Sequence, residues 1–410
     1  MEKGNRFSAL YVKDFRLFWL GQIISLSGTW MHSVAQSWLV YSLTKSPLWL
    51  GIIASLSSLP ILLFTLIGGI IADRYPKRNI LIITQFLSII PALFLGILTD
   101  SGMIRVWHVG ITATFLGTVN AFDIPTRQAF IGEVAGRDSL TNAIALNSMA
   151  FNGARIIGPM IAGLVIAGVG LPLCFYLNAL SFAAVLFALT RISARGEKSA
   201  DRQGIGTDIA DGLRYMINDK PVFWLMVIIS LYSLFGIPYI TLLPIIAGEV
   251  LDVGARGLSF LIAASGLGSF LAAFHIAYKG EIPRRELFIP FSGTVFSLAI
   301  LGIAYSRNFS LSLAIAFFAG WGIVSFLAMS NSFIQHSAPD ALRGRVMSLF
   351  TLVFLGFAPL GNSIIGLAAH RFGTVTSLQV FSVICIMGTL IFGRSFRRSV
   401  RTLPAQGETT

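Results

Sequence analysis

Apolar residues in this chain come in long runs, separated by short breaks rich in charge, glycine and proline. A helix crossing a hydrocarbon core of about 30 Å needs about 20 consecutive apolar residues, and each run far exceeds strand length. The pattern predicts an all-α membrane protein with twelve transmembrane helices, near residues 17–43, 48–72, 79–98, 106–123, 139–167, 171–190, 221–247, 255–278, 287–305, 308–336, 343–369 and 374–393. The longest break, 191–220, is polar, basic and glycine-containing. It separates a six-helix half (1–190) from a second (221–393), and a tail follows at 394–410. Within the break Ile209, Leu213 and Met216 recur at helical spacing opposite Asp208, Asp211 and Arg214. That spacing predicts a short interfacial helix or a plain strut on the membrane surface.

Composition excludes a soluble fold, because 55% of the 410 residues are hydrophobic and only 12% are charged, against about 25% charged in an ordinary soluble domain. The distribution of charge then fixes orientation. Of the 30 Lys and Arg residues, 24 fall in segments 1–16, 73–78, 124–138, 191–220, 279–286, 337–345 and 394–410, and five fall in the alternate loops. Short cytoplasmic loops retain basic residues, so both termini are expected in the cytoplasm of a multi-pass inner-membrane protein. The net charge of +12 then follows from topology and anionic lipid, with no nucleic-acid partner. Cys174 and Cys385 lie in apolar runs and read as small buried hydrophobes, not a disulfide or a zinc site. The first run passes Tyr41 with many polar residues and no A-x-A site, which predicts a retained helix and no signal peptide. No P-loop and no catalytic or metal-ligand spacing is present, so the expectation is no enzyme, no cofactor, and an ion gradient as the energy source.

A shift of 203 residues superposes Gly153, Gly158 and Gly163 on Gly356, Gly361 and Gly366, and Phe130-Ile131 on Phe333-Ile334. Such a repeat suggests duplicated halves, a known transporter architecture. Between the second and third runs the chain reads Gly69-Ile-Ile-Ala-Asp73-Arg74-Tyr-Pro-Lys77-Arg78. Gly69 is expected to permit close helix approach, and Asp73 to pair with a base or a helix N-terminus. The fifth run contains Gly153-Ala-Arg155-Ile-Ile-Gly158-Pro159-Met-Ile-Ala-Gly163, where small residues and a proline allow close packing, a bend or a sliding contact.

The 69–78 loop resembles the signature of the major facilitator superfamily, where the loop locks the cytoplasmic gate; Pro76 stands where the family has glycine. Gly153 to Gly163 is similar to the glycine-proline motif of exporters in that superfamily. The opening Phe15-Arg-Leu-Phe-Trp19, the stretch Asn120-Ala-Phe-Asp123-Ile-Pro125-Thr-Arg127-Gln128, and Asn142 through Pro159 resemble the branch that includes enterobactin exporters and macrolide efflux pumps. The resemblance implies the major facilitator fold and an alternating-access, proton-coupled exporter of a small amphiphilic molecule, a siderophore or a drug, working as a monomer in the bacterial inner membrane. An importer or lipid-flipping member of the superfamily is the alternative, and a non-transporting sensor a further one.

Four sets of residues are candidates for substrate or coupling. Gln22, Ser25, Thr29, His32 and Gln36 form one polar face on the first helix, which must meet protein or a cavity. Tyr232, Tyr239, Trp321 and Ser325 suit an amphiphilic ligand or simple packing. Asp123 is the carboxylate nearest a coupling role in spans with almost none. Arg155, placed well inside the fifth run, must face inward; it either supports the helix bundle or attracts an anionic substrate.

Overall fold

A computed structural model describes residues 8–193, 205–280, 282–340 and 342–401, which contain helices and no strands. The helices used below are α1 (Lys13–Thr44), α2 (Pro47–Arg74), α3 (Lys77–Asp100), α4 (Val106–Ala135), α5 (Leu140–Gly168) and α6 (Leu171–Arg191). After α7 (Ile205–Asn218) come α8 (Lys220–Val250), α9 (Gly254–Lys279), α10 (Arg285–Tyr305), α11 (Phe309–Ser337), α12 (Arg343–Phe372) and α13 (Thr374–Arg401). Ten of these are long and apolar enough to cross a membrane. The other two long helices, α1 with 32 residues and α4 with 30, carry the polar positions that thin their apolar runs.

Local chemistry sets the ends. Pro47, Pro172 and Pro221 stand in the first turns of α2, α6 and α8, where a missing N–H costs no hydrogen bond. The Asp219 carboxylate caps α8 by accepting the Val222 N–H at 3.0 Å, and Asn308 caps α11 through the Leu311 N–H at 3.0 Å. Gly373, at φ 86°, takes the left-handed side of backbone space that ends α12 and lets α13 begin.

Two boundaries depart most from the sequence reading: the last helix runs to Arg401 and not to residue 393, taking in the start of the expected tail, and the fourth helix is longer at its C-terminal end. The fourth helix runs to Ala135 and not to residue 123, so Arg127, read as a loop base, lies within α4. Pro125 is accommodated inside the helix; it cannot return an N–H to the Ala121 carbonyl. That carbonyl instead faces α2, where a Cβ added to Gly68 would stand 2.2 Å from it. Gly68, and not Gly69, therefore permits the close approach, since a Cβ on Gly69 would meet nothing. A second approach follows at Gly117, whose added Cβ would stand 2.4 Å from the Ser57 carbonyl.

The chain forms two compact units. One comprises Met1–Arg202 with Leu243–Gly266, and the other Gln203–Leu242 with Leu267–Thr410. In the first unit Phe15, Phe18, Leu81, Phe130, Val185 and Leu189 are fully buried in one cluster at the ends of α1, α3, α4 and α6. Hydrogen bonds tie this cluster to α5: the Trp19 indole donates to the Leu146 carbonyl at 2.9 Å, and the Asn142 side chain accepts the Ala9 N–H at 3.1 Å. Trp19 and Leu146 belong to separate motif segments, which the fold thus joins. Gly158 meets α1, its added Cβ 2.6 Å from the Ser27 carbonyl, and Gly163 meets Ser259; Gly153 stands in open space and packs on nothing.

In the second unit α8 contains two wide turns, Tyr232–Gly236 and Ile246–Val250, the latter at its far end within the first unit. Helix α12 is interrupted at Phe357. The Ser233 hydroxyl donates to the Phe354 carbonyl at 2.7 Å, just before that interruption. Helix α7 sits where an interfacial helix was expected, with Leu213 and Ile217 exposed; the side chains of Asp208, Ile209 and Asp211 lie outside the described residues. Tyr215 fixes α7, its hydroxyl bonding to Asp219 at 2.9 Å and to the Ser337 carbonyl at 2.8 Å. Burial, followed by the Asp219 contact, pushes its phenol above its ordinary range.

Candidate functional site

The first unit holds a buried charge network centred on α4. Asp123 and Arg127 are one helical turn apart and pair through the Arg127 Nε, which donates to Asp123 Oδ2 at 2.8 Å, and through Nη2. Helix α3 completes the carboxylate's shell: the Thr84 hydroxyl donates to Oδ1 at 2.7 Å and Gln85 Nε2 at 2.8 Å. Helix α1 enters through Gln22, whose Oε1 accepts from Arg127 Nη1. The side chains of Arg127 and Asp123 are 16% and 5% exposed. Buried charge is tolerated only when it is paired and hydrogen-bonded, and this pair is both. Yet among the described residues Gln22 Nε2 and Gln85 Oε1 are buried without a hydrogen-bond partner, each at a cost of about 1–3 kcal/mol.

The loop between α2 and α3 divides its charges. Lys77, buried, pairs with Glu133 near the end of α4 at 2.5 Å. Arg78 donates to the last carbonyls of α6, Leu189 at 2.7 Å and Thr190 at 3.2 Å, a favourable place for a cation at a helix C-terminus. Asp73 and Arg74 are exposed, and among the described residues no hydrogen bond or ion pair is found for Asp73. Among the described residues, then, Asp73 makes neither an ion pair with a base nor a hydrogen bond at a helix N-terminus.

The polar face of α1 is divided between several partners and does not act as one surface. Gln22 joins the charge network, while Thr29 bonds back to the Ser25 carbonyl at 2.9 Å. His32 Nε2 and Gln36 Oε1 pair at 3.2 Å, and the imidazole stands edge-on to Phe175 at 5.0 Å. Gln22, Ser25 and His32 are buried. Most of this face is interhelical, with Gly28 set against Ser181 and Asn178 of α6.

Arg155 is half-buried on α5, with its guanidinium 5.5 Å from the centre of the Trp30 ring; Phe151 stands edge-on to the same ring at 5.9 Å. A cation over an aromatic face is a favourable pair. It also leaves the guanidinium's polarity beside an apolar ring.

In the second unit Tyr232 is fully buried, its hydroxyl 2.5 Å from that of Thr389 and 3.2 Å from that of Ser297, with Phe296 and Phe326 edge-on. Tyr239 is buried against Phe296 at 5.8 Å, Ser325 is buried, and Trp321 packs near Phe288 and Phe291. These four residues are distributed through helix packing.

Arg127, Thr84, Gln85, Glu133 and Trp30 were absent from the sequence-derived candidates. The Asp123/Arg127 spacing of four was a usable signal, masked by reading the segment after residue 123 as loop. Nothing in the sequence marks Thr84 or Glu133, whose roles come from α3 crossing α4 and from the buried Lys77.

The family described as transmembrane secretion effector matches over residues 5–405. The staphyloferrin A transporter of Staphylococcus aureus (strain NCTC 8325 / PS 47) is 26% identical, over 92% of this chain and 95% of the relative. Macrolide efflux protein A of Streptococcus pyogenes is 22% identical, over 91% and 92%. Among solved structures, a bacterial homolog of the human lysosomal transporter Spinster has the same fold, with a TM-score of 0.74, 13% identity, and coverage of 97% of this chain and 99% of its own.

Proposed function

Since the chain belongs to the transmembrane secretion effector family of the major facilitator superfamily, and is a membrane transporter and not an enzyme, we propose that it is a proton-driven exporter working by alternating access. In this reading the ten apolar helices together with α1 and α4 make twelve spans, and the basic loops support a cytoplasmic side for both termini. The observation that carries the coupling proposal is Asp123, a buried carboxylate held by Arg127, Thr84 and Gln85. Ionisable groups within membrane helices mark coupling paths. A proton on Asp123 cancels its charge and loosens Arg127, which also holds Gln22, so one proton alters contacts among α1, α3 and α4. Asp73, Arg74, Lys77 and Arg78, together with Gly158 and Pro159 of α5, form the moving gate.

The exported molecule in this reading is amphiphilic and anionic. Support for an anionic group comes from Arg155, whose guanidinium stands over the Trp30 ring, and support for amphiphilic character from the names of the relatives, the staphyloferrin A transporter and macrolide efflux protein A.

Inverted membrane vesicles carrying an imposed pH gradient test this. Wild type should accumulate a labelled carboxylate siderophore and stop when the gradient is collapsed. Asp123→Asn should lose gradient-driven accumulation yet keep exchange of labelled for unlabelled substrate. Accumulation that survives collapse, or wild-type behaviour of Asp123→Asn, refutes the coupling scheme.

A further inference from the structure

Outside the charge network, the first unit carries an apolar groove on its outer surface, between α2, α3 and α4. One part, of 590 Å³, is lined by Ile71, Tyr75, Ile83, Thr84, Phe115 and neighbours; a second, of 560 Å³, continues past Phe115 and Thr118 to Trp49 and Trp107. Ile83 and Phe115 are 57% and 39% exposed in the middle of their helices. Apolar residues exposed at that depth of a membrane-spanning helix suit contact with lipid chains.

We propose that the first part of this groove is a binding site for one acyl chain of an anionic phospholipid, whose headgroup lies against Arg74. Three observations fit that occupant. From Pro76 to Leu87 the α3 wall rises about 16 Å at 1.5 Å per residue, which matches the depth of one leaflet, about half of a 30 Å hydrocarbon core. The mouth lies at the 73–78 loop, where Tyr75 is 58% exposed and Asn79 lines the edge. There Arg74 is exposed, while Arg78 is held by the last carbonyls of α6 and Lys77 is matched by Glu133. Asp73 beside them leaves the loop with a net positive charge, and a guanidinium meets a phosphate diester through paired N–H donors. The groove is also tied to the charge network, because Thr84 lines its wall and donates to Asp123 at 2.7 Å. A bound chain therefore lies one side chain from the ion pair.

Native mass spectrometry of the detergent-purified full chain, with phosphatidylglycerol and phosphatidylethanolamine supplied in equal amounts, tests the site. Wild type should retain phosphatidylglycerol preferentially. Arg74→Gln should lower that preference about fivefold, the equivalent of about 1 kcal/mol for one basic side chain near an anionic surface. Ile83→Trp, which fills the groove from an exposed position, should abolish retention, whereas Ile97→Trp, on an equally exposed part of α3 outside the groove, should leave it unchanged. Equal retention of the two lipids, or undiminished retention in Ile83→Trp, overturns the assignment. Loss of drug export in Ile83→Trp with lipid retention intact gives the groove to the exported molecule and also overturns it. A dimer that disappears in Ile83→Trp while lipid stays bound gives it to a second copy, with the same consequence.

Discussion

Replacing Arg127 by Gln removes the cation from a buried pair, together with its bond to Gln22 of α1. In wild type the Asp123 carboxylate accepts from Arg127, Thr84 and Gln85. The variant leaves the anion with the Thr84 and Gln85 bonds alone, in a site where its side chain is 5% exposed. Breaking a buried ion pair from one side costs about 3–5 kcal/mol, because the remaining charge is uncompensated. Neutralising both partners removes that charge, so Asp123→Asn/Arg127→Gln should be more stable than Arg127→Gln alone. The coupling energy expected of residues in direct contact is about 2–3 kcal/mol. Unfolding of the wild type, both single variants and the double variant in mixed micelles gives the cycle directly. Arg127→Gln within about 0.5 kcal/mol of wild type, or a double variant whose loss is the plain sum of the singles, refutes the reading of this network as a tightly coupled buried pair.

Two further outcomes follow from the geometry. Gly68→Ala should lower folded yield sharply, since its Cβ would stand 2.2 Å from the Ala121 carbonyl, while Gly69→Ala should be neutral because nothing lies near; size-exclusion yield of the two proteins decides it, and equal yields would sink the packing argument. Arg155→Gln and Arg155→Lys should reach the membrane at wild-type levels yet lose export of an acidic substrate more than of a neutral one, measured in whole cells; equal loss for both, in step with lost protein, makes Arg155 a folding residue.

Most of the helical architecture could be read from run length alone, because the bilayer fixes how many apolar residues a span needs. The ends of α2, α6 and α10 fall within two residues of their predicted positions. The misreading at α4 has a physical cause: Asp123, Pro125 and Arg127 together look like a loop, and only the pairing of the two charges makes the segment tolerable as buried helix. Gly68 and Gly69 are indistinguishable in sequence, since which of two neighbouring glycines faces another helix depends on the helix's rotation. The division of α1's polar face was hidden for a similar reason: spacing shows that Gln22 and His32 share a side, but not that one meets Arg127 and the other Phe175.

The interruption in α12 is stabilised from a different helix. Pro359 has no N–H for the Leu355 carbonyl, which takes the Phe357 N–H instead, and the Phe354 carbonyl receives the Ser233 hydroxyl from α8. In hydrocarbon, where water cannot serve an open carbonyl, a discontinuity survives only if protein serves it. The joint is thus specified by two residues more than a hundred positions apart in the chain, and neither alone encodes it. A change at Ser233 would be felt as stiffening or fraying of a rod that Ser233 is not part of, so variation at the two positions must be interpreted jointly.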